Sequence, residues 1–282
     1  MSSGLSILYD TIRWEEKALF DAAKKKGIDA KMVDCKSLFI NLDNSKEEYD
    51  TAIQRCVSYY RSLHSTAALE GKGVNVINSL NTSIFAGNKL FTHMLLVKAG
   101  VPTPFSAVAF SQDAALKLLE DKGYPMVLKP TVGSWGRMIA LLKDRDSAEG
   151  IMETRENMYP IYQVYYLEEF VNRPPRDIRA IMIGDEVVAA IYRYSVDGQW
   201  KTNMALGGKA EPLKVTKEME EICIKAKNAV QGQIVGIDLM ESKENGLVVH
   251  EVNNTTEYKN TVRVTGVDIP ALMIDYAIQS RK

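Results

Sequence analysis

Between residues 1 and 90, short apolar runs alternate with stretches of helical spacing, and this alternation constrains the fold more than any single motif. Residues 5–9 form an apolar run, after which Trp14, Ala18, Leu19, Ala22 and Ala23 recur at helical spacing until Gly27. Val33, residues 51–56 and residues 74–77 supply further short strands, and a helical stretch over 59–70 ends at Gly71. Strands separated by helices predict a small parallel α/β sheet, because parallel neighbours need a crossover of about a dozen residues. No Gly-x-Gly-x-x-Gly follows the first strand and no Gly-x-x-x-x-Gly-Lys-Ser/Thr occurs, so neither a dinucleotide fingerprint nor a P-loop can be claimed.

The rhythm changes at Val101-Pro-Thr-Pro104, where two prolines end the helix carrying residues 88–99. Beyond it the pattern reads as strand (106–109), helix (113–122, closed by Gly123), strand (126–129), loop and strand (138–143), a small α+β module. From Tyr165 strands dominate, over 165–171, 178–183 and 187–192, before a helix at 217–230, a hairpin over 234–252 and a closing helix at 269–278. Three units are therefore expected: residues 1–87, 88–165 and 166–282.

Composition restricts what such a chain does. With 282 residues, 46% of them apolar, it can bury more than one core. Thirty-five basic against 36 acidic residues leave a net charge of −1, which argues against a nucleic-acid binder driven by bulk positive charge. No apolar run approaches the roughly 18–20 residues of a membrane-spanning helix, and the start has no basic flank or apolar signal core, so a cytoplasmic protein is expected. Cys35, Cys56 and Cys223 are far apart and match no zinc spacing, as reduced structural thiols would.

Two segments carry chemistry. In Gly236-Ile-Asp238 … Asn245-Gly246 … Glu251-Val-Asn253, a two-residue Asn-Gly turn would place Asp238 opposite Asn253. Glu251 then shares their face, because side chains alternate along a strand. Two carboxylates and an amide converging in this way suit Mg²⁺ that also holds phosphate oxygens. The competing reading is a solvated face bearing acids by chance, and a loop one residue longer would reverse the parity. The second segment is Lys129-Pro-Thr-Val-Gly133-Ser134-Trp135-Gly136-Arg137. A lysine ending an apolar strand before a glycine loop can offer charge and backbone N–H groups to phosphates, although such lysines also simply snorkel to water. Lys89 could equally be a solvated helical lysine, and Arg179 an ordinary exposed arginine.

These segments, with Glu168-Glu169-Phe-Val171, Asp177-Ile-Arg179, Arg193 and Asn203, occur in the order seen in ATP-grasp ligases. The chain resembles the RimK/LysX branch of that superfamily, and more closely the LysX-type ligases, which join α-aminoadipate to the small acidic carrier protein LysW. The features that carry the closer likeness are Arg55-Cys-Val-Ser, Gly133-Ser-Trp-Gly-Arg137, Arg176-Asp-Ile-Arg179, Glu257-Tyr-Lys-Asn-Thr261 and Thr265-Gly-Val-Asp-Ile-Pro270. The resemblance implies an ATP-grasp fold of mixed α/β and α+β class, with a parallel N-terminal domain, a central lid domain and a C-terminal antiparallel-sheet domain.

It also implies roles. Lys89 and Lys129 would hold the α and β phosphates of ATP, and Gly133, Ser134, Trp135, Gly136 and Arg137 would close over the β and γ phosphates. Glu169 and Val171 would meet adenine through the main chain, Arg193 and Asn203 would act catalytically on the γ-phosphate and an acyl phosphate, and Asp238, Glu251 and Asn253 would bind Mg²⁺. Asn260 and Thr261 would set substrate choice, since glutamate-using sister enzymes carry Gly-Phe at that place. The implied activity is ADP-forming ligation of α-aminoadipate to the side chain of the C-terminal glutamate of LysW in lysine biosynthesis, by a homo-oligomer with neither nucleic-acid nor membrane partners. The alternatives are glutamate ligation to LysW, RimK-like glutamate addition to a protein tail, or a non-catalytic nucleotide or amino-acid binding module.

Overall fold

The computed structural model describes residues 4–43, 47–133, 137–196, 200, 202 and 209–281. Its first sheet is built from β1 (Leu5–Tyr9), β2 (Ala30–Asp34), β3 (Thr51–Gln54) and β4 (Asn75–Ile77) in the order β2-β1-β3-β4, parallel throughout. Helices α1 (Trp14–Lys25) and α2 (Tyr59–Gly71) make the crossovers from β1 to β2 and from β3 to β4. Leu5, Ile7 and Leu8 are fully buried, as expected of a parallel strand covered on both faces. Asp10, at the end of β1, accepts hydrogen bonds from the main-chain N–H groups of Val57 and Ser58 and from Arg61. One carboxylate thus ties the end of β1 to the start of α2.

Helices α3 (Leu80–Ala86) and α4 (Lys89–Lys98) follow. From the sequence α4 is expected in the central unit; in the structure Leu96 and Val101 are buried in the core of the C-terminal sheet, and the partly buried Phe85 and Ala86 pack against it. The central sheet contains β5 (Ser106–Ala109), β6 (Met126–Lys129), β7 (Ala140–Leu142) and β8 (Tyr165–Glu169), ordered β5-β8-β6-β7 and antiparallel. Strand β8 therefore extends this sheet beyond the boundary expected at residue 165. Helices α5 (Gln112–Lys122) and α6 (Arg145–Glu156) supply its core through Leu116, Leu119, Ala148 and Met152. Helix α6 escaped the sequence reading because Gly150 and many charges obscure its short apolar stripe. Asp144 and Ser147 start it with reciprocal capping bonds.

The third sheet is antiparallel in the order β11-β10-β9-β12-β13, formed by β9 (Arg176–Ile183), β10 (Glu186–Tyr194), β11 (Ala210–Leu213), β12 (Ile234–Ser242) and β13 (Gly246–Asn253). Ile178, Ala180 and Met182 face α7 (Lys217–Ala229) through Met219, Cys223 and Ala226. After α8 (Lys259–Thr265), the final helix α9 (Ile269–Gln279) joins one apolar cluster to residues of both the first and third sheets, Leu5 and Ile53 on one side and Ile181 and Ile234 on the other. No helix among the described residues is long and apolar enough to cross a membrane.

The β12–β13 hairpin corrects the expected turn. Ser242 pairs with Gly246 and Leu239 with Val249, so the loop has three residues, 243–245, rather than being Asn245-Gly246. The Ser242 hydroxyl accepts from the amides of Glu244 and Asn245, and Gly246 closes the turn at φ +68°, a conformation open to glycine. An odd loop alone would set Asp238 opposite His250 and turn Glu251 away. The register shifts between Asp238 and Leu239, leaving His250 as the extra residue, and Asp238 pairs with Glu251. The longer loop and the bulge cancel, and the two carboxylates share a face after all.

Burial opposes ionisation of Asp10, but the Val57 and Ser58 amides and Arg61 outweigh it and hold the carboxyl below its ordinary value. A lowered folded-state value contributes stability above the ordinary carboxylate range, which is lost as pH falls through it. Urea unfolding followed from about pH 6 down to about pH 2.5 should show a shallower acid loss for Asp10→Asn than for the wild type. Equal slopes would remove Asp10 from the acid response.

Candidate active site

A cavity of about 540 Å³ lies where the three sheets meet. Its floor follows from strand alternation: Ile178 and Ala180 of β9 turn to the α7 core, so Asp177 and Arg179 turn to the opposite face. There the register sets Asp177 beside Arg193 of β10, and Arg179 beside Asp238 of β12. Arg193 grips Asp177 with two bonds, Nε–Oδ1 at 2.7 Å and Nη2–Oδ2 at 2.9 Å, and its Nη2 lies 3.1 Å from Asp238 Oδ2. Arg179 holds Asp238 through Nε and through Nη2 at 2.8 Å, and donates from Nη1 to the Thr256 hydroxyl at 2.9 Å. The Thr202 hydroxyl donates to Asp177. Arg179, which the sequence allowed to be an ordinary exposed arginine, is part of this buried charge lattice.

The lysines complete it. Lys89, the first residue of α4, lies 3.0 Å from Glu251 Oε1 and donates to the Gly133 carbonyl at 2.9 Å. Lys129, at the end of β6, is paired with Glu168 of β8 and lies 3.3 Å from His250 Nδ1. Burial opposes the charge on Asp238, but Arg179 and then Arg193 hold its carboxyl well below the usual range. Glu251 is lowered in the same way, burial being outweighed chiefly by Lys89. Burial, and then Lys129, push His250 down to about 4, so its imidazole is neutral at pH 7 and adds no charge beside the lysine.

Ligand atoms of Asp238, Glu251 and His250 lie within 4.8 Å of one another, and Asn253 Nδ2 donates to Asp238 Oδ2 at 3.4 Å. Two ionised carboxylates on adjacent strands, with an amide oxygen available beside them, form the hard oxygen set that fits Mg²⁺; a histidine nitrogen suits it less.

Of the residues expected from the sequence, Lys89, Lys129, Gly133, Glu169, Val171, Arg193, Asp238, Glu251, Asn253, Asn260 and Thr261 all line this one cavity. Arg137 is exposed and is absent from its described wall. Ser134, Trp135, Gly136 and Asn203 lie outside the described residues. The Glu169 amide is already donated to the Phe105 carbonyl at 2.9 Å. Glu168 and Asp177 were legible only as members of ordered motifs, and His250 only as a neighbour of Glu251. What gives them importance is a partner distant in sequence: Lys129 for Glu168 and His250, Arg193 for Asp177.

Residues 5–84 match the LysX preATP-grasp domain and residues 86–277 the RimK-like ATP-grasp domain. The chain therefore belongs to the RimK-like ATP-grasp family, and with that membership it is an ATP-dependent, ADP-forming ligase that works with Mg²⁺. It is 40% identical over 277 residues to the α-aminoadipate–LysW ligase LysX of Sulfurisphaera tokodaii, with 96% of each chain covered. It is 34% identical over 273 residues to the glutamate–LysW ligase ArgX of Sulfolobus acidocaldarius, covering 96% of this chain and 97% of that one. The crystal structure of a RimK domain ATP-grasp protein from Sphaerobacter thermophilus superposes with a TM-score of 0.78 at 20% identity, over 98% of this chain and 99% of the other. At that identity the likeness speaks for the fold alone.

Because Lys129 and Glu168 are both almost wholly buried, deleting one partner strands the other's charge. Lys129→Met should lower unfolding stability by about 3 kcal/mol, and adding Glu168→Gln should recover much of that loss. Urea denaturation of the two single variants and the double variant checks this; a double variant no more stable than Lys129→Met would show that the pair is not the source of the loss.

Proposed function

We propose that the protein joins the amino group of α-aminoadipate to the side-chain carboxylate of the C-terminal glutamate of the carrier protein LysW, through an acyl phosphate. The observation that carries this reading is the position of Asn260 and Thr261. They lie in the first turn of α8 and line the same cavity as the lysines and carboxylates, in a chain 40% identical to a LysX ligase. A distal carboxylate bonded by this polar pair suits the longer of two dicarboxylic amino acids. The shorter one leaves buried polar groups unpaired, which costs more than a missing methylene alone.

The charge lattice supports a division of labour. Lys89 and Lys129 would pass from Glu251 and Glu168 to the α and β phosphates of ATP, with the loop from Gly133 to Arg137 over the β and γ phosphates. Asp238, Glu251 and Asn253 would hold Mg²⁺, which when bound neutralises phosphate charge that otherwise repels an incoming carboxylate. Glu169 and Val171 would meet the adenine through their main chain. Arg193, with Asn203, would steady the γ-phosphate as the carrier carboxylate attacks it. The amine then displaces phosphate from the acyl group, and the walls serve mainly to align the two and keep water out.

The deciding assay combines purified protein, ATP, Mg²⁺ and LysW with either amino acid, read by intact mass of the carrier. The expected product is carrier plus α-aminoadipate minus water, and addition of glutamate alone would overturn the reading. Glu251→Ala should abolish ligation in a protein whose circular dichroism is unchanged, because the cation loses a shared carboxylate. Near-normal turnover by that variant would sink the cation assignment. Asn260→Gly combined with Thr261→Phe should shift the ratio of kcat/KM toward glutamate by about tenfold or more, and an unchanged ratio would remove the pair from the specificity site.

A further inference from the structure

Helix α8, which carries Asn260 and Thr261, has no capping side chain of its own; Tyr258 stands at the cap position and its side chain makes no capping bond. The cap comes from the other end of the chain. Glu15, in the first turn of α1, accepts from the main-chain N–H groups of Tyr258 at 3.3 Å and Lys259 at 3.2 Å through a single oxygen, Oε1. The Tyr258 hydroxyl returns a bond to the Glu15 carbonyl at 3.1 Å. Trp14 meets the Tyr258 ring edge-on with centroids 6.0 Å apart, and the Arg55 guanidinium lies 5.6 Å from the same ring. Glu15 and Tyr258 are both buried, although Glu15 also lines the cavity, so these bonds are largely shielded from bulk water.

The neighbouring acid does different work. Glu16 is held by Arg13 at 2.7 Å and by Arg55 at 3.2 Å, which fixes the start of α1, while Glu15 points its charge at two amides that favour a negative group. We infer that Glu15 is a positioning residue for amino-acid choice: through this cap the N-terminal domain sets the angle at which α8 presents Asn260 and Thr261 to the cavity. The inference rests on the proposed function, since it gives that same specificity pair its support.

Two readouts test it. Loss of a helix cap shifts a local opening equilibrium by about tenfold. In Glu15→Ala, amide exchange of the peptide spanning residues 257–265 should therefore quicken by about that factor while peptides of α7 stay unchanged. The KM for α-aminoadipate should rise and the kcat/KM preference over glutamate should fall, each by about tenfold, with the KM for ATP within about twofold of wild type. Glu15→Gln keeps an acceptor oxygen and should restore most of both effects. Unchanged exchange at 257–265 overturns the inference, as does faster exchange with the amino-acid KM and preference unmoved, or a KM for ATP that rises in step. A wild type that ligates neither amino acid overturns the proposed function and with it the claim on selectivity, while exchange still decides whether Glu15 holds α8.

Discussion

Asp238 and Glu251 face one another across β12 and β13, and most of what surrounds them answers the cost of that pairing. At a separation below 5 Å two carboxylates repel by roughly 3–4 kcal/mol in a partly dry site, and each has also given up water. Arg179 and Arg193 answer for Asp238 and Lys89 for Glu251. The elements are placed accordingly: β9 lies between β12 and β10, so that Arg179 comes from the strand next to Asp238 and Arg193 from the strand beyond it, and α4 packs on the C-terminal core, where its first residue reaches Glu251. Buried ion pairs of this kind give little net stability compared with an apolar core. What they do is keep two negative groups ionised and adjacent, which is the arrangement that the proposed cation and phosphates would need.

The outline of the fold was legible because its signals are local. Alternation of strand and helix gave the parallel sheet, and the Pro-x-Pro break and the strand-rich second half gave the other units. What was lost was decided by partners far along the chain. The 88–99 helix read as part of the central unit, since nothing near Leu96 shows that it packs against α7 and the C-terminal sheet. Residues 260 and 261 read as loop because Thr261, Val262, Val264 and Thr265 are poor helix formers, and the missing cap is a glutamate 243 residues earlier.

The candidate site was legible in its residue types and less so in its geometry. The same-face relation of Asp238, Glu251 and Asn253 was reached through a turn that the chain does not make. It holds because the hairpin departs from the expected register twice, by the Ser242-bound loop and by the bulge at His250. Arg179 illustrates the other limit. Alternation shows that it leaves the core face, but only the neighbouring strand shows that it meets an acid there.

Lys89 and Lys129 are anchored to different sheets. Lys89 is anchored through α4 to the C-terminal core, whereas Lys129 ends a strand of the central sheet. A polyanion gripped by both, as proposed for ATP, would be a strap across the seam, its length setting how closely the central sheet approaches the C-terminal one. An anion with a single phosphate, holding one lysine at a time, exerts no such tension. On the proposed phosphate role, the spacing of the two cations would convert the length of a phosphate chain into a distance between the C-terminal and central sheets.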